Sequence, residues 1–84
     1  MNWDDTAADK FKKLLEKIPV FLRGIAQEKV LTRAESLAQK EKRLLMTEKD
    51  MVDAFFIETP FGFHGPLKSD MQELGIDYTQ YGHQ

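Results

Sequence analysis

Apolar residues recur through the first sixty positions at the three-and-four spacing of helices that bury one face. In the first segment they fall at Ala7, Ala8, Phe11, Leu14, Leu15 and Ile18, with Lys10, Lys12, Lys13, Glu16 and Lys17 opposite. Asp4, Asp5 and Thr6 are helix-capping residues, and acids there complement the positive end of the helix dipole. A helix over about 6–17 is therefore expected, with Trp3 as a buried staple on its first turn. Pro19 has no N–H to donate and suits the first position of a new helix. From it Leu22, Ile25, Ala26, Val30, Leu31, Ala34, Leu37 and Ala38 form one long stripe, which predicts a second helix over about 19–40. In this reading Ile18, Pro19, Phe21 and Leu22 form a junction that feeds the core. Glu41-Lys42-Arg43 reads as a solvated charge run that ends the helix softly. Thr47, with Asp50 three residues later, has the form of a capping box. It opens a third helix over about 48–58, in which Asp50 and Asp53 serve as cap and solvent-face residues.

Beyond residue 59 the pattern changes. Pro60-Phe61-Gly62-Phe63-His64-Gly65-Pro66 reads as a loop, because proline and glycine punctuate regular structure. The next residues fit a short helix from Pro66 or Leu67 to Leu74, stopped by Gly75. Ile76, Tyr78 and Tyr81 can then fold back, and the last ten residues are left open. No alternation of strand type is present. The fold class expected is all-α: a small three-helix bundle over 1–59, then a Pro/Gly/aromatic loop and tail over 60–84 with room for a short fourth helix.

Eighty-four residues make one small domain, with one core and little room for a deep cofactor cavity. The net charge of −2, with acids and bases interspersed, argues against a nucleic-acid or anionic-membrane surface. There is no cysteine, so disulfides and thiolate metal sites are excluded. No apolar run approaches a membrane span, and the N-terminus lacks the pattern of a secretory signal, so the expected location is the cytoplasm.

No catalytic constellation emerges. His64 and His83 lie in the loop and at the terminus without metal-ligand spacing, and Ser36 and Ser69 have no evident base. No catalytic residue, metal site or cofactor is expected, and nothing in the residues argues for an enzyme acting alone. Two stretches hold the candidates for interaction. In the first, Gly24 costs about 1 kcal/mol inside a helix, which points to close packing against helix one or three, or else to a ligand's approach. Arg23 sits at the wrong helix end for a cation, so a carboxylate partner or a bound anion is expected. Phe21 stands beside them. In the second, Phe61, Phe63 and His64 could dock on a protein partner or clasp a planar ligand such as a tetrapyrrole. The oligomeric state is not set by the sequence, and a homo-oligomer is a third reading.

The run Ile18-Pro19-Val20-Phe21-Leu22-Arg23-Gly24, in register with Trp3, Ala8, Leu15, Lys17, Glu35, Ala38 and Thr47, resembles the small C-terminal helical domain of the B subunit of light-independent protochlorophyllide reductase. The resemblance covers about residues 3–57. It lacks that subunit's catalytic domain, and Ile25-Ala26-Gln27-Glu28-Lys29 stands where the family is strongly basic. It implies a stand-alone, non-catalytic accessory domain that contacts a redox enzyme, a tetrapyrrole or a protein partner in a setting related to chlorophyll biosynthesis.

Overall fold

In the computed structural model, which describes residues 2–84, the chain runs β1 (Asn2–Trp3), α1 (Asp5–Glu16), α2 (Val20–Lys40), β2 (Leu45–Met46), α3 (Glu48–Glu58) and α4 (His64–Glu73). Two short 3₁₀ turns, Phe61–Phe63 and Tyr78–Tyr81, precede and follow α4. The molecule is an all-α bundle of small helices with one minimal strand pair. The three long predicted helices form, and so does the fourth.

The ends of the helices follow from named side chains. Asp4 caps α1 by accepting from the Ala7 N–H at 3.2 Å. Pro19 proves to be the cap residue before α2 rather than its first helical residue, with extended backbone and no side chain to bond the free N–H groups after it. The capping box on α3 is present as expected. The end of α2 is sharper than a solvated charge run would give. Lys42 takes the left-handed conformation (φ 58°), and the Arg43 N–H returns to the Ala38 carbonyl at 3.0 Å, a closure more often built on glycine. At Gly75 (φ 73°) a glycine does serve, and the Ile76 N–H reaches the Met71 carbonyl at 2.8 Å.

One apolar core joins all four helices. Leu14, Phe11 and Leu15 of α1 meet Val30, Ala34 and Ala38 of α2, Met51, Val52, Phe55 and Phe56 of α3, and Leu67 and Met71 of α4. Ile76 and Tyr78 complete it, so residues 60–84 belong to the same core as the rest. Trp3 stacks on Phe11 with ring centroids 5.0 Å apart, and Asn2–Trp3 pairs in parallel with Leu45–Met46. That two-residue pairing is too short to leave an alternating pattern in the sequence.

Lengths decide how α2 is covered. At about 1.5 Å per residue, α2 is about 32 Å long while α3 is about 17 Å. The connection between them is short, so α3 runs back along the C-terminal half of α2 and ends where Arg33 pairs with Glu58 at 2.9 Å. The first ten residues of α2 therefore overhang. From Val20 to Lys29 only Arg23 and Ala26 are other than exposed.

Candidate functional site

The overhang leaves an apolar groove of about 520 Å³ between the N-terminal half of α2 and the turn from α3 into α4. One wall is Ile18, Pro19, Leu22 and Ile25; the other is Pro60, Phe63 and Pro66; Leu14, Val30, Phe55 and Leu67 form the floor. The two stretches singled out in the sequence thus face each other across one cleft. Leu22 is 43% exposed, Ile25 58% and Phe63 64%, apolar surface that the bundle leaves uncovered. Large contiguous patches of this kind mark interaction sites on soluble proteins.

The rim is charged and divided by sign. Lys17 and Lys29 belong to the α1–α2 wall, Glu58 and Asp70 to the α3–α4 wall. Lys17 bonds Glu73 of α4, which raises its ammonium above the ordinary lysine value. Lys29 and Asp70 make no ion pair among the described residues.

Arg23, Gly24, Phe21, Phe61 and His64 do not line this groove. Arg23 neither meets a carboxylate nor presents itself to an anion. Its Nε donates to the Leu15 carbonyl at 2.8 Å, and its Nη2 donates to the carbonyls of Ile18 at 2.9 Å and Glu16 at 3.2 Å. The guanidinium thereby closes the C-terminus of α1, where carbonyls lack partners and a cation complements the dipole. Gly24 is not in close packing against α1 or α3, since a β-carbon built there would meet nothing within 4 Å. Phe21 is 81% exposed on the outside of α2 and does not feed the core. Phe61, 88% exposed, points away from the groove, and only Phe63 of the three aromatic-loop candidates lines it. The predicted loop is largely helical, as Phe61–Phe63 is a 3₁₀ turn and α4 begins at His64. The His64 Nε2 lies 3.1 Å from the Phe56 carbonyl and 2.9 Å from that of Thr59, closing the end of α3.

Polar chemistry is concentrated at the other end of the bundle. Asp50 is fully buried, not solvent-facing, and takes a bidentate bond from Arg43 at 2.5 and 2.6 Å. Burial pushes its carboxyl up, but the Arg43 bonds and the Thr47 N–H at 2.9 Å hold it below the ordinary carboxylate value. Glu48 takes Lys10 at 2.5 Å and the Tyr81 hydroxyl at 2.5 Å. Its burial, too, is more than offset by those two bonds, which leave it lowered. His83 stacks on Phe56 at 4.1 Å and bonds Asp53 at 2.6 Å. No group of three or more potential metal ligands occurs among the described residues. These groups are partnered with one another, and none of them lines the groove.

Comparison with known proteins places the chain in a family without assigning it an activity. A family model described as a protein of unknown function (DUF2621) matches residues 1–84, so the chain belongs to that family. No curated protein and no solved structure matches it. The likeness to the protochlorophyllide reductase B subunit is overturned by this result: a different family accounts for the whole chain, and no curated protein of that kind matches. The structure supplies a physical reason for the misleading run. Pro19 is the cap residue before α2, and Arg23 closes α1, so the Pro-to-Arg spacing answers a local need of a tight helix junction.

Proposed function

We propose that the chain is a non-catalytic protein-interaction module whose binding face is the groove beneath the overhanging half of α2. The observation that carries this reading is the groove itself: an apolar trough left open in a bundle where, among the described residues, no buried side-chain polar atom lacks a partner. Its occupant is the apolar face of an amphipathic helix from a partner protein, a recognition mode read through residues at i, i+3, i+4 and i+7. Support for a helix comes from the rim. Basic residues on one wall and acidic residues on the other fit a segment whose apolar stripe is flanked by charge of both signs. Against a planar ligand held by histidine stands the position of His64, whose Nε2 is taken up by two carbonyls.

Titration with a model amphipathic helix of leucine, lysine and glutamate, followed by amide chemical shifts, tests the reading. Saturable shifts at Leu22, Ile25, Phe63 and Leu67, abolished in Leu22→Asp with the fold retained by circular dichroism, are expected. Absence of saturation up to about 1 mM peptide would overturn the proposal. So would saturation by a flat porphyrin in place of the peptide.

A further inference from the structure

Gly24 has no explanation inside one molecule. Glycine is disfavoured relative to alanine in a helix interior, yet no atom lies near enough to require the missing side chain. It sits on the outward face of α2 with Phe21, Ile25 and Glu28, which are spaced three and four residues apart on one side of the helix. A glycine on an exposed apolar helix face allows another helix to approach closely at that point. We propose that this face is the contact between two copies of the chain, with their α2 helices crossing antiparallel at Gly24 about a two-fold axis.

Area and charge both favour a second copy. Val20, Phe21 and Ile25 are 77%, 81% and 58% exposed. Together they present on the order of 400 Å² of apolar surface, about the apolar half of the roughly 800 Å² per partner that a standard interface buries. An isologous contact requires one patch complementary to itself, and here the two Gly24 positions meet at the axis, where the missing side chains let the backbones approach while Phe21 of each copy packs beside the crossing. The crossing also brings opposite charge together. Residues equidistant from Gly24 lie opposite one another, so Glu28 of one copy meets Val20 of the other. There α2 begins without a side-chain cap and with no acid in its first turn, and a carboxylate complements the free N–H groups and the dipole.

Analytical ultracentrifugation of the whole chain against concentration tests this. The expected result is a reversible dimer, abolished by Phe21→Asp and weakened at least tenfold by Gly24→Leu. Leucine is a better helix former than glycine and meets nothing within the monomer, so Gly24→Leu should melt higher while associating less, which a misfolded variant would not do. A wild-type chain that stays monomeric up to about 1 mM would overturn the inference, as would a Gly24→Leu variant that dimerises as before. The groove reading is scored separately, by the peptide titration on monomeric Phe21→Asp. A failure there with an intact wild-type dimer counts against the groove alone.

Discussion

The two halves of α2 are built on opposite principles. From Val30 to Ala38 the buried face is small, with Val30, Ala34 and Ala38 letting α3 lie close. In the first turns the apolar side chains Val20, Phe21, Leu22 and Ile25 are larger and stay exposed. Each half has its own supporting end of the bundle. Beside the buried half, polar groups are satisfied in pairs: Arg43 with Asp50, Glu48 with Lys10 and Tyr81, Asp53 with Lys49 and His83. Beside the exposed half, the polar groups that matter are spent on helix ends, Arg23 on α1 and His64 on α3. One half of the helix holds the fold together, and the other is left free by it. Substitutions in the two halves should therefore separate stability from association.

The largest effect is expected in the buried aromatic cluster. Phe56 is buried against His83, His64 and Tyr78, so Phe56→Ala should cost about 4 kcal/mol in urea unfolding. Phe21→Ala removes the same ring from the exposed half and should change stability by less than about 0.5 kcal/mol at low protein concentration. Equal losses from the two would mean that the overhang is packed in solution.

Next comes the buried ion pair. Arg43→Ala leaves the Asp50 carboxylate buried with only Thr47 for a partner, and should cost about 3 kcal/mol, the low end for a broken buried pair because Arg43 is partly solvated. The pair also sets the acid limit of the fold. Asp50 and Glu48 are both held below their ordinary values, so the unfolded chain takes up these protons first as the pH falls. Stability from these groups is full above about pH 5 and is lost progressively below about pH 4.5. Unfolding midpoints measured from pH 7 to 3 should fall only in that lower range, and in Arg43→Ala the decline should be shallower.

Much of this contrast is legible in the sequence, and so is the signal that corrects its main error. Helix periods, the Asp4 cap, the Thr47–Asp50 box and the Gly75 stop are local, and local chemistry places α1, α2, α3 and the end of α4 within a residue or so. The stripe on α2 misleads because periodicity shows which face is apolar and not whether anything covers it. On that ground alone Leu22 and Ile25 read as core. The corrective signal lies in lengths: a helix of 21 residues returning into one of 11 must overhang. That Arg23 seeks carbonyls and Asp50 seeks Arg43 is not legible, since both depend on where chain ends meet in space. The aromatic loop marks Phe63, which lines the groove, but the floor residues Val30, Phe55 and Leu67 carry no mark beyond ordinary core spacing.

Arg23 links the halves, since it belongs to the exposed segment yet serves the fold. Arg23→Ala takes the side-chain donor from the Glu16 and Ile18 carbonyls, leaves the Leu15 carbonyl to backbone N–H groups alone, and should cost about 1.5 kcal/mol, without altering the core. Arg23→Lys should recover only part, because one ammonium cannot reproduce the fork that reaches three carbonyls. Thermal melting of the three proteins distinguishes this from a ligand-binding arginine, whose loss would leave the melting point unchanged.

The effect at Gly24 is smaller than that at Arg23 and has the opposite sign. Gly24→Ala adds a methyl group that meets nothing within 4 Å and reduces the backbone entropy lost on folding, so the monomer should gain about 1 kcal/mol. For a domain of this size that raises the melting temperature by about 4–8 °C. Core glycines behave differently: where a close neighbour requires the gap, alanine destabilises. The sign of the change thus decides whether Gly24 serves the fold. A gain measured at low concentration leaves the glycine without a role in the single chain, and a loss would return it to the interior packing that its helical position suggests.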